Sequence, residues 1–184
     1  MRLHSLAGPN LMVGHVDIDD ASSIHALREE LAGFRFDVVF VNAGVLSDPA
    51  LSFADQVMQV MRTNVAGAML ATEAFEPLVA DGGVLAVMSS GLGSVSGNTT
   101  GGWEPYRSSK AALNQSLRSF AAARPAMPYA LAAIAPGWVR TEMGGPDAAL
   151  DVATSTSGMV RVLEGLFGKP GLVFVDYKGN ELPW

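Results

Sequence analysis

Short, unbroken apolar runs separated by longer stretches of helical period constrain this chain more than any other feature. Leu11–Val16, Asp37–Asn42, Val84–Ser89, Tyr129–Ala135 and Leu172–Asp176 have strand length. Their apolar residues run on rather than alternate, as in strands covered on both faces. Helical periodicity falls between them, near Ala21–Ala32, Phe53–Val79, Tyr106–Ala123 and Ala148–Phe167. Strands alternating with helices predict an α/β fold, a mostly parallel sheet with helices on both faces. Ser22 or Ser23 is placed to cap the first helix and Asp147 the last. Asp81-Gly82-Gly83 is placed to stop the long second helix. No repeat or linker interrupts the 184 residues, a length that suits one domain with a full core.

Composition narrows the function classes. Hydrophobic residues make up 49% and charged ones 16%, which excludes extended disorder. Twelve basic residues against 18 acidic ones give a net charge of −6, and no basic stripe offsets it, which argues against a nucleic-acid partner. No apolar run approaches the ~18 residues of a membrane span. Met1 to Asn10 lacks the charged-then-apolar pattern of a signal peptide. With no cysteine there is neither a disulfide framework nor a thiolate metal site. His4, His15 and His25 share no ligand spacing, so no metal is expected. The expectation is a cytoplasmic protein acting on a small molecule.

The chemistry-bearing residues cluster where the apolar runs end. Tyr106-Arg107-Ser108-Ser109-Lys110 sets a phenol and an ammonium four residues apart, on one face of a helix. A neighbouring cation favours the ionised phenol and makes it usable for proton transfer. Alone, the pair equally describes a half-buried tyrosine beside a solvated lysine. It has company, however. Asn42-Ala43-Gly44 closes one run and Ser89-Ser90 another, Asn64-Val65-Ala66-Gly67 lies on a helix, and Pro136-Gly137-Trp138-Val139-Arg140-Thr141 closes a third run.

In order and approximate spacing these elements resemble the short-chain dehydrogenase/reductase family, over nearly the whole chain. The stretch Tyr106 to Asn114 and the ending Phe174 to Trp184 look most like its C-factor and sniffer-type carbonyl reductase branch. The resemblance implies a Rossmann-like domain, NADP or NAD as cofactor, and a small carbonyl or alcohol substrate. It implies Tyr106 as general acid/base, Lys110 as the residue that lowers the Tyr106 pKa and binds nicotinamide ribose, and Ser90 as the group polarising the substrate carbonyl. Asn64 would hold a water that links Lys110 to solvent. Asp17 near the adenine, Asn42, Ala43 and Gly44, and Pro136, Gly137, Val139 and Thr141 would line the cofactor.

Alternatives stand beside these roles. Asn64 equally suits a cross-link between its helix and a neighbouring segment, Thr141 and Asp17 suit turn caps, and Ser89 competes with Ser90. Sixteen residues separate Ser90 from Tyr106, slightly more than is usual in the family. The glycine-rich stretch Gly91–Glu104, read as a flexible active-site loop, absorbs the difference.

The family's opening strand, T-G-x-x-x-G-x-G turn and helix do not occur in these 184 residues. Leu11 to Asp19 resembles its third strand. The glycine turn normally gives backbone N–H groups and a helix dipole to the diphosphate. Without two such hydrogen bonds, dinucleotide binding weakens by about 10²- to 10⁴-fold. Three consequences are expected. The sheet is N-terminally truncated, with about five strands, and rearranged so that Leu11–Val16 or a second chain covers the edge of Val38–Val41, in a homodimer. The acid–base set also suits a cofactor-independent isomerase or lyase, and the open edge a non-catalytic signalling protein. A reading frame beginning upstream of Met1 would carry the missing turn in frame.

Overall fold

The computed structural model describes residues 11–184; Met1 to Asn10, with His4, lie outside them. The elements are α1 (Ala21–Glu30), β1 (Phe36–Val41), α2 (Phe53–Met61), α3 (Ala68–Phe75), β2 (Val79–Met88), α4 (Glu104–Ala122), β3 (Ala130–Ala135), α5 (Val152–Glu164) and β4 (Gly171–Asp176). All four strands run parallel in the order β1-β2-β3-β4. Alternate residues of each strand serve opposite faces. Leu85, Val87, Leu131, Ala133 and Phe174 pack with Leu113, Leu117 and Phe120 of α4 and Ala68 and Ala71 of α3. Val84, Ala86, Ala132, Ile134 and Val175 pack with Met159 and Leu163 of α5. Each such Leu or Phe stabilises the fold by about 1.5–3 kcal/mol. Among the described residues no helix is long and apolar enough to cross a membrane.

Leu11–Val16 is not a fifth strand. Only Leu11 makes an isolated bridge, and Met12 is 80% exposed. A strand needs an adjacent ladder, and β1 pairs only with β2 among the described residues. The segment is instead held by its far end. Ile18 enters the core, and the Asp19 carboxylate accepts from Thr63 Oγ1 at 2.9 Å.

The expected long helix Phe53–Val79 is also broken. Between α2 and α3 the chain makes a wider π turn, Arg62–Gly67, a device that recurs at functional sites. After a 3₁₀ turn, Glu76–Leu78, the chain is already strand at Val79. Asp81-Gly82-Gly83 therefore lies inside β2 as a bulge, where the register jumps from Phe36↔Val79 to Val38↔Val84. A Cβ on Gly83 would lie 2.8 Å from the carbonyl oxygens of Ala80 and Asp37, so the bulge needs glycine there. The caps differ as well: Asp20 caps α1 and Asp151 caps α5, because each carboxylate reaches an N–H in the first turn.

Far from the strand ends that carry the motifs, Glu76 ties three elements together. Arg124 Nε donates to both its oxygens, at 2.9 and 3.0 Å, and the Tyr129 hydroxyl donates to Oε1 at 2.6 Å. Burial, reinforced by the Glu76 carboxylate, holds the Tyr129 phenol above its ordinary pKa. Replacing Glu76 with Ala strands a phenol and a part-buried guanidinium, so a loss of about 2 kcal/mol is expected in urea unfolding. A loss no larger than that of an exposed Glu→Ala change would refute this role.

Candidate active site

Four chain segments converge at the C-terminal ends of β1 and β2, where parallel α/β sheets place ligands. On α4, Lys110 is 3% exposed, and its Nζ donates to the Met88 carbonyl at 2.9 Å. The same ammonium lies 5.8 Å from the centroid of the Tyr106 ring, one helical turn earlier as the i, i+4 spacing requires. Behind them Gly44 closes the site. A Cβ there would stand 3.1 Å from Asn64 Oδ1 and 3.4 Å from Lys110 Nζ.

Burial governs the electrostatics. It pulls Lys110 down from 10.5 to about 8 and pushes Tyr106 above its usual value of 10.0, a rise opposed by hydrogen bonding from Ser90. In this arrangement burial sets the direction of the phenol's shift. The Lys110 ammonium is directed at a backbone carbonyl, and desolvation disfavours both charges. At neutral pH Tyr106 is protonated and able to donate.

The two serines divide. Ser89 is buried, with its hydroxyl donating to Asn114 Oδ1 at 2.6 Å and its N–H to the Ile134 carbonyl at 2.8 Å. Ser90 caps the 3₁₀ turn Gly91–Gly93 through the Leu92 N–H and is the serine that addresses Tyr106. Asn64, in the π turn, is completely buried. Its amide accepts from the Val45 N–H at 2.8 Å and donates to the Val45 carbonyl at 2.9 Å and Ser109 Oγ at 3.0 Å.

The remaining candidates lie around this cluster or apart from it. Asn42 and Ala43 are exposed at the end of β1. Pro136 accepts from Ser155 Oγ at 2.7 Å, Val139 bridges Leu150, and Gly137 has φ 80°. These contacts knit the loop after β3 to the approach to α5. Thr141 Oγ1 donates to the Val139 carbonyl and accepts from the Gly144 N–H, the bonding of a turn cap. Asp17 is exposed and accepts from the Asp19 N–H; among the described residues no hydrogen bond joins it to the Tyr106 cluster. Among them, too, no group of three or more His, Asp or Glu is arranged to hold a metal.

Some supporting residues carry only a positional signal in the sequence. Ser109 and Asn114 lie on the Tyr106/Lys110 face of α4, three and eight residues after Tyr106, and Gly93 packs against Lys110. Arg107 holds the glycine-rich loop, donating to the Gly102 and Gly101 carbonyls at 2.8 and 3.1 Å. There Gly101, Gly102 and Trp103 are all left-handed, with φ of 68°, 73° and 60°. Gly91–Glu104 is thus a held loop in this structure.

Comparison with known proteins places this geometry. The family model described as Enoyl-(Acyl carrier protein) reductase matches residues 2–162. C-signal of Myxococcus xanthus is 38% identical over 156 residues, 80% of this chain and 92% of that protein. A short-chain dehydrogenase/reductase from Burkholderia multivorans, solved with bound NADP, superposes with a TM-score of 0.94 at 43% identity. It is matched over 99% of this chain and 82% of that one. Carbonyl reductase Sniffer of D. melanogaster superposes with a TM-score of 0.88 at 29% identity, over 99% and 82% of the two chains. With the family's motifs at the strand ends where they are expected, the chain belongs to the short-chain dehydrogenase/reductase family.

Proposed function

We propose that this single domain is an NAD(P)H-dependent oxidoreductase that reduces a small carbonyl compound and, in reverse, oxidises the alcohol. The observation that carries the reading is the convergence of a protonated Tyr106 phenol, the Ser90 hydroxyl and the buried Lys110 ammonium at one strand end.

The residues present fit the nicotinamide end of the cofactor. Gly44 keeps its backbone low beside Lys110 and Asn64, and the Lys110 ammonium, one proton on Met88, has two more to offer ribose hydroxyls. When bound, a reduced nicotinamide supplies a hydride to the carbonyl carbon. Tyr106 gives its proton to the carbonyl oxygen, Ser90 holds that oxygen by a hydrogen bond, and Lys110 stabilises the phenolate left behind. Asn42, Ala43, Pro136, Gly137, Val139 and Thr141 would border the cofactor from the ends of β1 and β3, and Asp17 would lie on the adenine side.

The test is NADPH and NADH consumption with a panel of aldehydes and ketones. The pH dependence has a definite sign. Lys110 is cationic below about 8 and neutral above it, and only the cation stabilises the phenolate formed by reduction. The reductive kcat is expected to be level from pH 6 to 7 and to fall as pH rises through about 8. A profile level to pH 10 would reject this role for Lys110. Consumption of neither nicotinamide with any carbonyl would reject the reductase reading.

A signalling role is the second reading, favoured by the 38% identity to C-signal; there Tyr106→Phe would leave the function intact. The reading places the protein in the cytoplasm as a homodimer. The edge of β1 that is unpaired among the described residues and the exposed Phe53, Met58 and Leu70 are the surfaces offered to the partner.

A further inference from the structure

Eleven of the twelve Arg and Lys residues are described, and nine of them have partners of their own. Arg28, Arg62, Arg124 and Arg140 are in ion pairs. Arg35, Arg107 and Lys110 donate to carbonyl oxygens, and Arg118 lies over the Trp184 ring. Lys178 lies over the Tyr177 ring, and it and the two left over, Arg161 and Lys169, line one groove of about 450 Å³ between α5 and the end of β4. None of the three makes a side-chain hydrogen bond or an ion pair among the described residues; Lys178 lies 5.4 Å from the centroid of the Tyr177 ring, which also lines the groove.

The end of α5 does not account for these charges. Backbone N–H groups already cap its last carbonyls: Gly165 on Arg161, Leu166 on Leu163 and Phe167 on Glu164. The Asp176 carboxylate, two residues before Lys178, is occupied by the Lys178 and Asn180 N–H groups and the Asn180 amide. A concave site of one charge sign focuses its field and concentrates counter-ions, here on a chain whose net charge is −6. Close approach also shapes the groove. A Cβ on Gly158 would lie 2.4 Å from the Tyr177 carbonyl oxygen, so helix and strand meet tightly at one end and leave room beyond. The volume lies within the usual range for small-molecule sites, roughly 300–1,000 Å³, and a guanidinium flanked by ammonium groups suits phosphate oxygens.

We propose that this groove, on the β4 side of the sheet and separate from the Tyr106 cluster, binds a small phosphorylated ligand. Arg161 and Lys169 are its main anchors, because Lys178 shares its field with Asp176. The test is calorimetric titration of the whole chain with inorganic pyrophosphate at low salt. Saturable one-to-one binding is expected, weakened at least about tenfold in an Arg161→Gln, Lys169→Gln double variant. It should be unchanged in Arg28→Gln and in Tyr106→Phe. Both replaced residues are exposed, and unchanged thermal melting verifies that the variant folds. Absence of saturation up to about 10 mM, or equal binding by the double variant, would overturn the proposal. Equal binding would assign the anion to another place, such as the cofactor site.

Discussion

Replacing Tyr106 with Phe is expected to lower NADPH-dependent carbonyl reduction by about 10²- to 10⁴-fold, the usual contribution of a positioned general acid. The change removes one oxygen and keeps the ring, so the packing of α4 and the contact with the Lys110 ammonium, 5.8 Å from the ring centroid, persist. Affinity for NADPH and the unfolding midpoint should therefore stay near those of the parent, and the loss should fall on kcat. Burial keeps the phenol protonated at neutral pH, so the group removed is the proton donor itself. Ser90→Ala leaves that donor in place and should cost less. A Tyr106→Phe variant with more than a tenth of the parent kcat would end the proposal that this phenol supplies the proton. Loss of an activity that needs no nicotinamide would instead favour isomerase or lyase chemistry by the same residues.

How far the sequence reaches can be judged residue by residue. Tyr106 and Lys110 are legible because i, i+4 spacing is a property of any helix, and the four strands of the sheet because their apolar runs are continuous. Less legible is whatever depends on a distant partner. Leu11–Val16 has strand composition, but strand structure requires a neighbouring ladder that composition cannot supply. The π turn at Arg62–Gly67 leaves no mark in the apolar periodicity, since one extra residue per turn merely rotates the face. The division of labour between Ser89 and Ser90 is decided by Asn114, 25 residues away from Ser89. Likewise, the phenol's pKa depends on how deeply α4 is buried, and a pair spacing says nothing of depth. Burial proves to oppose the Ser90 hydrogen bond and to prevail.

Asn64 is where a structural and a catalytic account diverge most, and Asn64→Leu separates them. The amide is buried with three hydrogen bonds, two of them to both polar groups of the Val45 backbone. Leucine has similar bulk but no polar atom, so the Val45 N–H and C=O would lose their partners in a part-buried setting. At about 1–3 kcal/mol for each stranded group, a destabilisation of about 4 kcal/mol is expected from urea unfolding. The damage should spread to the site, because the same amide fixes the chain beside Gly44 and, through Ser109, the turn of α4 that carries Tyr106. A proton relay makes a different demand. It predicts that Asn64→Leu costs activity while the unfolding midpoint stays within about 1 kcal/mol of the parent. A loss of stability that parallels the loss of kcat identifies Asn64 as the pin that holds the π turn against α4. Such a residue serves the chemistry by holding Lys110 and Gly44 in place.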